Sequence, residues 1–279
     1  MQPTITLIPY GGLANRMKAI ESVLHLIDNT SLQATAIWFK DNGLNCRFDD
    51  LFCPIKTDRF KLREAAASDY LLYDRPRKKN AYLPAVFQQM QFDGRLRDDE
   101  VTQLLYKQFD FRQWALSHRK SYISACVLFY EKHRRKLFDA FVPLPALQAR
   151  IDHICESFTS HTVGIHIRRT DNVEAINGSP TELFVQRMRE ELQLYPETKF
   201  YVASDSRLEK NRMITAFGDR IIVLPDVDTS RNSVRGMQDA LVELYVLSRT
   251  NKIFGSHQSS YSETAAQIGN IPYEKIFRK

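Results

Sequence analysis

Residues 162–269 alternate short apolar runs with longer amphipathic stretches, and this alternation leaves the chain few folds to choose from. Runs at 162–168, 199–204, 220–224 and 252–255 are rich in β-branched and aromatic residues and read as strands. Between them apolar residues recur at helical spacing, as in the stripe Phe184, Met188, Leu192 and Tyr195. Ser179-Pro180-Thr181-Glu182 reads as a capping box with proline at the first helical position, and Ser206-Arg207-Leu208-Glu209 as a second. Ser260-Tyr261-Ser262-Glu263 fits the same pattern. Gly218 is a helix stop, and a polar loop over 226–235 leads into a helix ending near Arg249. Strands separated by whole helices pair in parallel, so this half is expected to be a Rossmann-like domain.

The N-terminus opens in the same manner. Residues 4–9 form an apolar strand and a glycine turn follows. Over 15–28, Met17, Ile20, Val23, Leu24 and Ile27 give a helix with one apolar face, and 33–39 is a second strand. Residues 121–130 read as a further strand and 146–158 as a helix, whereas 40–120 is dense in aromatics, basic residues and breakers and shows no period. In Phe141-Val142-Pro143-Leu144-Pro145 two prolines interrupt regular structure. The expected division is an N-terminal Rossmann-like domain, 1–143, and a C-terminal one, 144–279, with ligand in a cleft between them at the carboxyl ends of strands.

Chemistry-bearing residues fall at those strand ends. Side chains alternate along a strand, so Val163, Ile165 and Ile167 face one way while Gly164, His166 and Arg168 face the other. Gly164 leaves room for something to approach the sheet below His166 and Arg168. The Arg168 guanidinium is a planar fork of donors suited to a diphosphate. His166 either meets a nucleobase or phosphate, or is a core histidine bonded to backbone. Arg169 points oppositely, to pair with Asp171 or cap the loop, and Asp171 suits a turn-ordering role. In Tyr10-Gly11-Gly12-Leu13-Ala14-Asn15-Arg16, Gly11 and Gly12 permit positive φ and close approach of an anion to backbone amides. The alternative there is a tight turn with Asn15 as N-cap. Asp205, after the strand 199–204, accepts either from guanine N–H groups or from helix amides. Ser259 and Ser260, at a helix start, hold a pyrophosphate or cap the helix.

Bulk properties exclude some classes. The net charge of +6 is modest, with short basic clusters such as Arg75-Pro76-Arg77-Lys78-Lys79 and Lys132-His133-Arg134-Arg135-Lys136. Such charge suits an anionic substrate, but these clusters lack the aromatic interleaving or groove-entering helix of a nucleic-acid reader. Cys46, Cys53, Cys126 and Cys155 have no C-x-x-C spacing, so neither zinc nor a redox dithiol is expected and the thiols read as reduced. No apolar run is long enough for a transmembrane segment and the N-terminus lacks a basic leader, which points to the cytoplasm. Oligomeric state is not readable.

The stretch His166-Ile167-Arg168-Arg169-Thr170-Asp171 resembles the first motif of the GDP-fucose-dependent fucosyltransferases, a group spanning α1,2-, α1,6-, nodulation and protein O-fucosyltransferases. Val202-Ala203-Ser204-Asp205 is similar to their second motif, residues 256–266 to their third, and 239–247 to the helix before it. Gly11-Gly12-Leu13-Ala14-Asn15-Arg16 is similar to their N-terminal glycine loop, with Ala14 where a glycine is common. Residues 40–145 match no motif. The resemblance implies a GT-B-like fold, a C-terminal nucleotide-sugar domain, an N-terminal acceptor side, and metal-free inverting transfer of fucose from GDP-fucose to a glycan hydroxyl, with no cofactor. It places Arg168 on the diphosphate and His166, Asp205, Ser259 and Ser260 on GDP. Asn15, with Gly11 and Gly12, would line the other side; the sequence departs from the α1,6 pattern after Asp171, with Ile176 at the approximate site of the family's proposed base and Glu174, closer to the motif, as the candidate base here. Two other readings are a GT-B transferase using another sugar nucleotide, and a noncatalytic nucleotide- or glycan-binding relative.

Overall fold

A computed structural model describes residues 2–73, 83–131, 136–170 and 173–278. The basic cluster at 75–79, most of that at 132–136, and Asp171 lie outside these residues. The chain forms two compact units, Met1–Val142 and Pro143–Lys279.

Unit 1 runs β1 (Thr4–Pro9), α1 (Leu13–Ile27), β2 (Gln33–Trp38), β3 (Phe60–Glu64), α2 (Asp69–Leu72), α3 (Leu83–Gln91), β4 (Gly94–Leu96), α4 (Asp98–Tyr106), α5 (Phe111–Ser117) and β5 (Lys120–Ala125). Its strands pair in parallel in the order β3-β2-β1-β5-β4. The run expected to be strand through 130 stops at Ala125, because the chain then turns over α1: the Ser22 hydroxyl accepts the amides of Phe129 (2.8 Å) and Tyr130 (3.3 Å). That covering segment also corrects the expectation of a one-faced helix. α1 is buried nearly all round, and some of its polar residues pair within it, as Glu21 and His25 do at 3.0 Å.

Asn15 is not the N-cap of α1. Gly12 is, and Arg16 N–H bonds to its carbonyl at 3.1 Å. Gly11 makes the turn at φ +84°, a backbone region that disfavours side chains. Arg16 then holds this turn against the end of β2. Its Nε donates to Gly11 O (2.9 Å), one Nη to Phe39 O, and the other meets Asp41 at 3.0 Å, with the guanidinium 4.9 Å above the Trp38 ring. Burial lowers the Arg16 pKa, and Asp41 opposes that shift.

Unit 2 runs α6 (Pro145–Cys155), β6 (Thr162–Ile167), α7 (Val173–Gly178), α8 (Thr181–Leu194), β7 (Lys199–Ser204), α9 (Arg207–Phe217), β8 (Ile221–Ile222), α10 (Val234–Leu247), β9 (Lys252–Ser256), α11 (Ser260–Gly269) and β10 (Tyr273–Ile276). All its strand pairs are parallel, in the order β10-β9-β6-β7-β8. Val163, Ile165 and Ile167 of β6 pack with Phe184, Met188, Val202, Met213 and Phe254 in one core. On the opposite face a Cβ at Gly164 would lie 2.9 Å from both Leu247 and Thr250. The room left by this glycine is therefore filled by the end of α10 and the residues after it, and no ligand approaches there.

The capping boxes at Ser179 and Ser206 do not form, and Ser260 lies inside α11 rather than at its N-cap. Pro180, Ser206 and Ser259 are the N-caps of α8, α9 and α11, and none of them makes a side-chain cap. The box residues are used in tertiary bonds instead: Ser179 Oγ donates to Ile276 O (2.6 Å), and Glu209 accepts from Thr181 (2.6 Å). β8 is two residues rather than five, and β10 was not foreseen, since its pattern Tyr-Glu-Lys-Ile shows two exposed charges on an edge. No disulfide joins the four cysteines, and burial pushes the Cys46 thiol up to about 12. Among the described residues no helix is long and apolar enough to cross a membrane.

Replacing Arg16 with Met removes the cation paired with Asp41 and the side-chain donor to the Gly11 and Phe39 carbonyls inside unit 1. Arg16→Met is expected to lower unfolding stability by about 3 kcal/mol, read as a fall in the urea midpoint; an unchanged midpoint contradicts the role given to Arg16.

Candidate functional site

In unit 2 the strand order reverses between β6 and β9. Chains leaving the carboxyl ends of two such strands diverge to opposite faces, and open parallel sheets bind ligands at that place. Arg168 follows β6 and His257 follows β9. Two buried serines on the flanking strands fix the end of β6. Ser256 Oγ donates to His166 O (3.3 Å) and accepts from Arg168 N–H (3.0 Å), while Ser204 Oγ donates to Ile167 O (2.6 Å).

The loop after β6 is held by Asp205. One carboxylate oxygen accepts from Arg169 N–H (2.7 Å), and the other from the Thr170 hydroxyl (2.6 Å) and amide (3.2 Å). Asp205 thus does not cap α9; half-buried, it binds the neighbouring loop. Arg169, like Arg168, lies beyond the end of β6 at Ile167. It caps the loop, with Nη1 on Arg168 O (2.7 Å) and Nη2 on Ser179 O and Thr181 Oγ1 (both 2.9 Å). Arg168 is half-buried at the mouth of this arrangement.

His166 is 6% exposed; its Nδ1 and Ser259 Oγ share a hydrogen bond of 3.3 Å, and its ring lies 4.8 Å from that of Tyr261. Burial takes its pKa down to about 4, against the pull of Asp205 and helped by Arg168. The ring is therefore neutral near pH 7. The structure brings together His166, Arg168, Asp205 and Ser259, with Ser260 half-buried in the first turn of α11. Glu174 is exposed in α7, beyond the same loop. Gly11, Gly12 and Asn15 lie in unit 1, where the order reverses between β1 and β5, at the carboxyl end of β1.

Other buried charges near His166 and Asp205 are not evident in the sequence. Lys210 of α9 and Glu243 of α10 form a buried ion pair at 2.5 Å, and burial raises the Glu243 carboxyl to about 7 although Lys210 opposes it. Asp239, one turn earlier, is buried against Arg150 of α6 and accepts Asp228 N–H at 2.9 Å. Two carboxylates four residues apart within an otherwise buried helix were the available signal. A pocket of about 630 Å3 lined by Arg207, Asp226, Val227, Asp228, Thr229 and Arg235 lies beyond the carboxyl ends of β7 and β8.

No protein-family model and no curated protein matches this sequence. Solved structures do match. The NodZ α-1,6-fucosyltransferase, known from Bradyrhizobium, in a crystal soaked with GDP-fucose superposes with a TM-score of 0.65 at 14% identity, over 96% of this chain and 93% of NodZ. An Arabidopsis thaliana FUT1 mutant in complex with GDP gives 0.61 at 16%, over 100% and 71%. POFUT1 in complex with GDP gives 0.56 at 11%, over 99% of both chains. The fold is the one these fucosyltransferases share, a GT-B-type pair of parallel Rossmann-like units.

A histidine whose folded pKa lies below its ordinary 6.5 binds its proton more readily when unfolded, so its contribution is present above 6.5 and lost as pH falls toward 4. Glu243 acts in the opposite sense, its raised carboxyl favouring the fold as pH falls below about 7. Comparing wild type with His166→Gln cancels that common contribution. The stability advantage of wild type is expected to shrink between pH 7.5 and 5 in urea unfolding; an advantage constant with pH contradicts a neutral buried His166.

Proposed function

We propose that this chain is a GDP-fucose-dependent glycosyltransferase that moves fucose to a glycan hydroxyl, inverting the anomeric carbon without a metal ion. The observation that carries this reading is Arg168, set by Ser256, Arg169 and Asp205 at the point where the unit 2 sheet reverses, beside the start of α11. A guanidinium and the first amides of a helix are complementary to a diphosphate, and the positive charge stabilises GDP as it leaves. Arg168 thereby supplies the charge compensation that a metal ion provides in other transferases. Likeness to proteins solved with GDP and GDP-fucose supports the choice of nucleotide.

In this reading unit 2 is the nucleotide-sugar domain and unit 1 the acceptor side. His166, neutral and buried, orients Ser259 and the helix start. Asp205 acts on the donor through the loop it holds, and the carboxylates of the pocket at Asp226 and Asp228 suit the N–H groups of guanine. Glu174 is the proposed base for the acceptor hydroxyl, being a carboxylate just past the Arg168 loop. Gly11, Gly12 and Asn15 present amides and an amide side chain at the unit 1 strand ends.

Calorimetry with GDP and GDP-fucose, followed by transfer assays on galactosyl and N-acetylglucosaminyl acceptors, tests the proposal; absence of GDP binding would overturn it. Arg168→Ala is expected to cut turnover by about a hundredfold or more with the fold intact, and near-wild-type turnover would refute its role. Glu174→Gln is expected to lower kcat while leaving the affinity for GDP unchanged. A kcat equal to wild type removes Glu174 as the base.

A further inference from the structure

The start of α8 joins four elements of unit 2. Ser179 Oγ donates to Ile276 O of β10 (2.6 Å) and accepts from His257 N–H just after β9 (2.7 Å), while Ser179 O accepts from Arg169 Nη2 (2.9 Å). Two residues on, the Thr181 hydroxyl donates to Glu209 Oε2 of α9 (2.6 Å) and accepts from Arg169 Nη2 (2.9 Å). Glu209 Oε1 lies 3.1 Å from Arg212 Nη1 and 3.8 Å from Arg169 Nε. Thr181 and Glu209 are 8% and 4% exposed, so these bonds are made away from water. Arg169 Nη1 completes the path on the carbonyl of Arg168.

A hydroxyl that donates to a carboxylate has its lone pairs turned toward a second donor, here Arg169. The direction of the Arg169 guanidinium is therefore set by Glu209 through Thr181. Arg169 in turn restrains the Arg168 peptide, from which the Arg168 side chain departs. We propose that Thr181 and Glu209 are positioning residues for the donor diphosphate, acting through Arg169 on Arg168. This rests on the donor reading given above. Neither residue needs to touch the nucleotide. Partners that orient a contacting residue carry a measurable share of affinity because they hold it in the productive geometry beforehand.

Thr181→Val keeps the shape and removes the hydroxyl, while Thr181→Ser keeps the hydroxyl. With the full chain and GDP as titrant, Thr181→Val is expected to weaken binding about tenfold and Thr181→Ser less than about twofold. The discriminating measurement is the double-mutant cycle with Arg168→Ala. Once Arg168 is absent, Thr181→Val should cost no further GDP affinity, whereas a merely structural role costs the same in both backgrounds. Guanosine, which lacks the diphosphate, should bind Thr181→Val as it binds wild type. If Thr181→Val does not fold by circular dichroism, Arg169→Lys takes its place in the cycle, with the same expected coupling. Wild type failing to bind GDP overturns the donor reading and this proposal with it. Wild type binding GDP, with Thr181→Val unaffected or its loss additive to that of Arg168→Ala, overturns the positioning role alone.

Discussion

The Arg168 peptide is bonded on both sides. Its N–H is taken by Ser256 from β9, its carbonyl by Arg169, and the next two amides by the Asp205 carboxylate at the end of β7. Three strand ends therefore specify one loop, where a loop of this kind would otherwise sample many backbone states at about 1–2 kcal/mol of entropy per residue. Binding of an anion there need not pay that ordering cost again. The central position of β6, flanked by β9 and β7, makes the arrangement possible.

The same economy governs the charges. His166, Lys210, Glu243 and Asp239 are all buried in unit 2, a placement that is expensive unless each charge is paired or neutralised. His166 is neutral, Lys210 and Glu243 pair with each other, and Asp239 is matched by Arg150. These contacts tie α6 and α9 to α10. Unit 1 has its own buried cation in Arg16, which ties the glycine turn after β1 to the end of β2. In both units a buried ionic group holds one element against another, so it contributes shape more than net stability.

The central strands of unit 2 were readable from the sequence because β6, β7 and β9 are buried on both faces, which produces continuous apolar runs such as Phe200-Tyr201-Val202-Ala203. Edge strands leave no such mark: β3 has the burial of a surface segment over Lys61 and Arg63, and β10 places Glu274 and Lys275 outward. Within the site, strand alternation reaches only as far as Ile167, so Arg168 and Arg169 lie beyond what it can assign. It could not find Thr181 and Glu209, because the capping-box pattern that contains them describes a local bond, whereas their hydroxyl and carboxylate are committed to each other across 28 residues. Asn15 failed as a cap for a related reason, since Gly11 and Gly12 let the helix begin earlier than the apolar stripe suggested.

Amide hydrogen exchange with and without GDP tests the central claim most directly, because it reports on the backbone that the diphosphate is said to meet. The account predicts that GDP slows exchange at 168–170 and over the first turn of α11, residues 259–263, with little change at the unit 2 helix surface of α8. Protection confined to other segments, or none at saturating GDP, would contradict it.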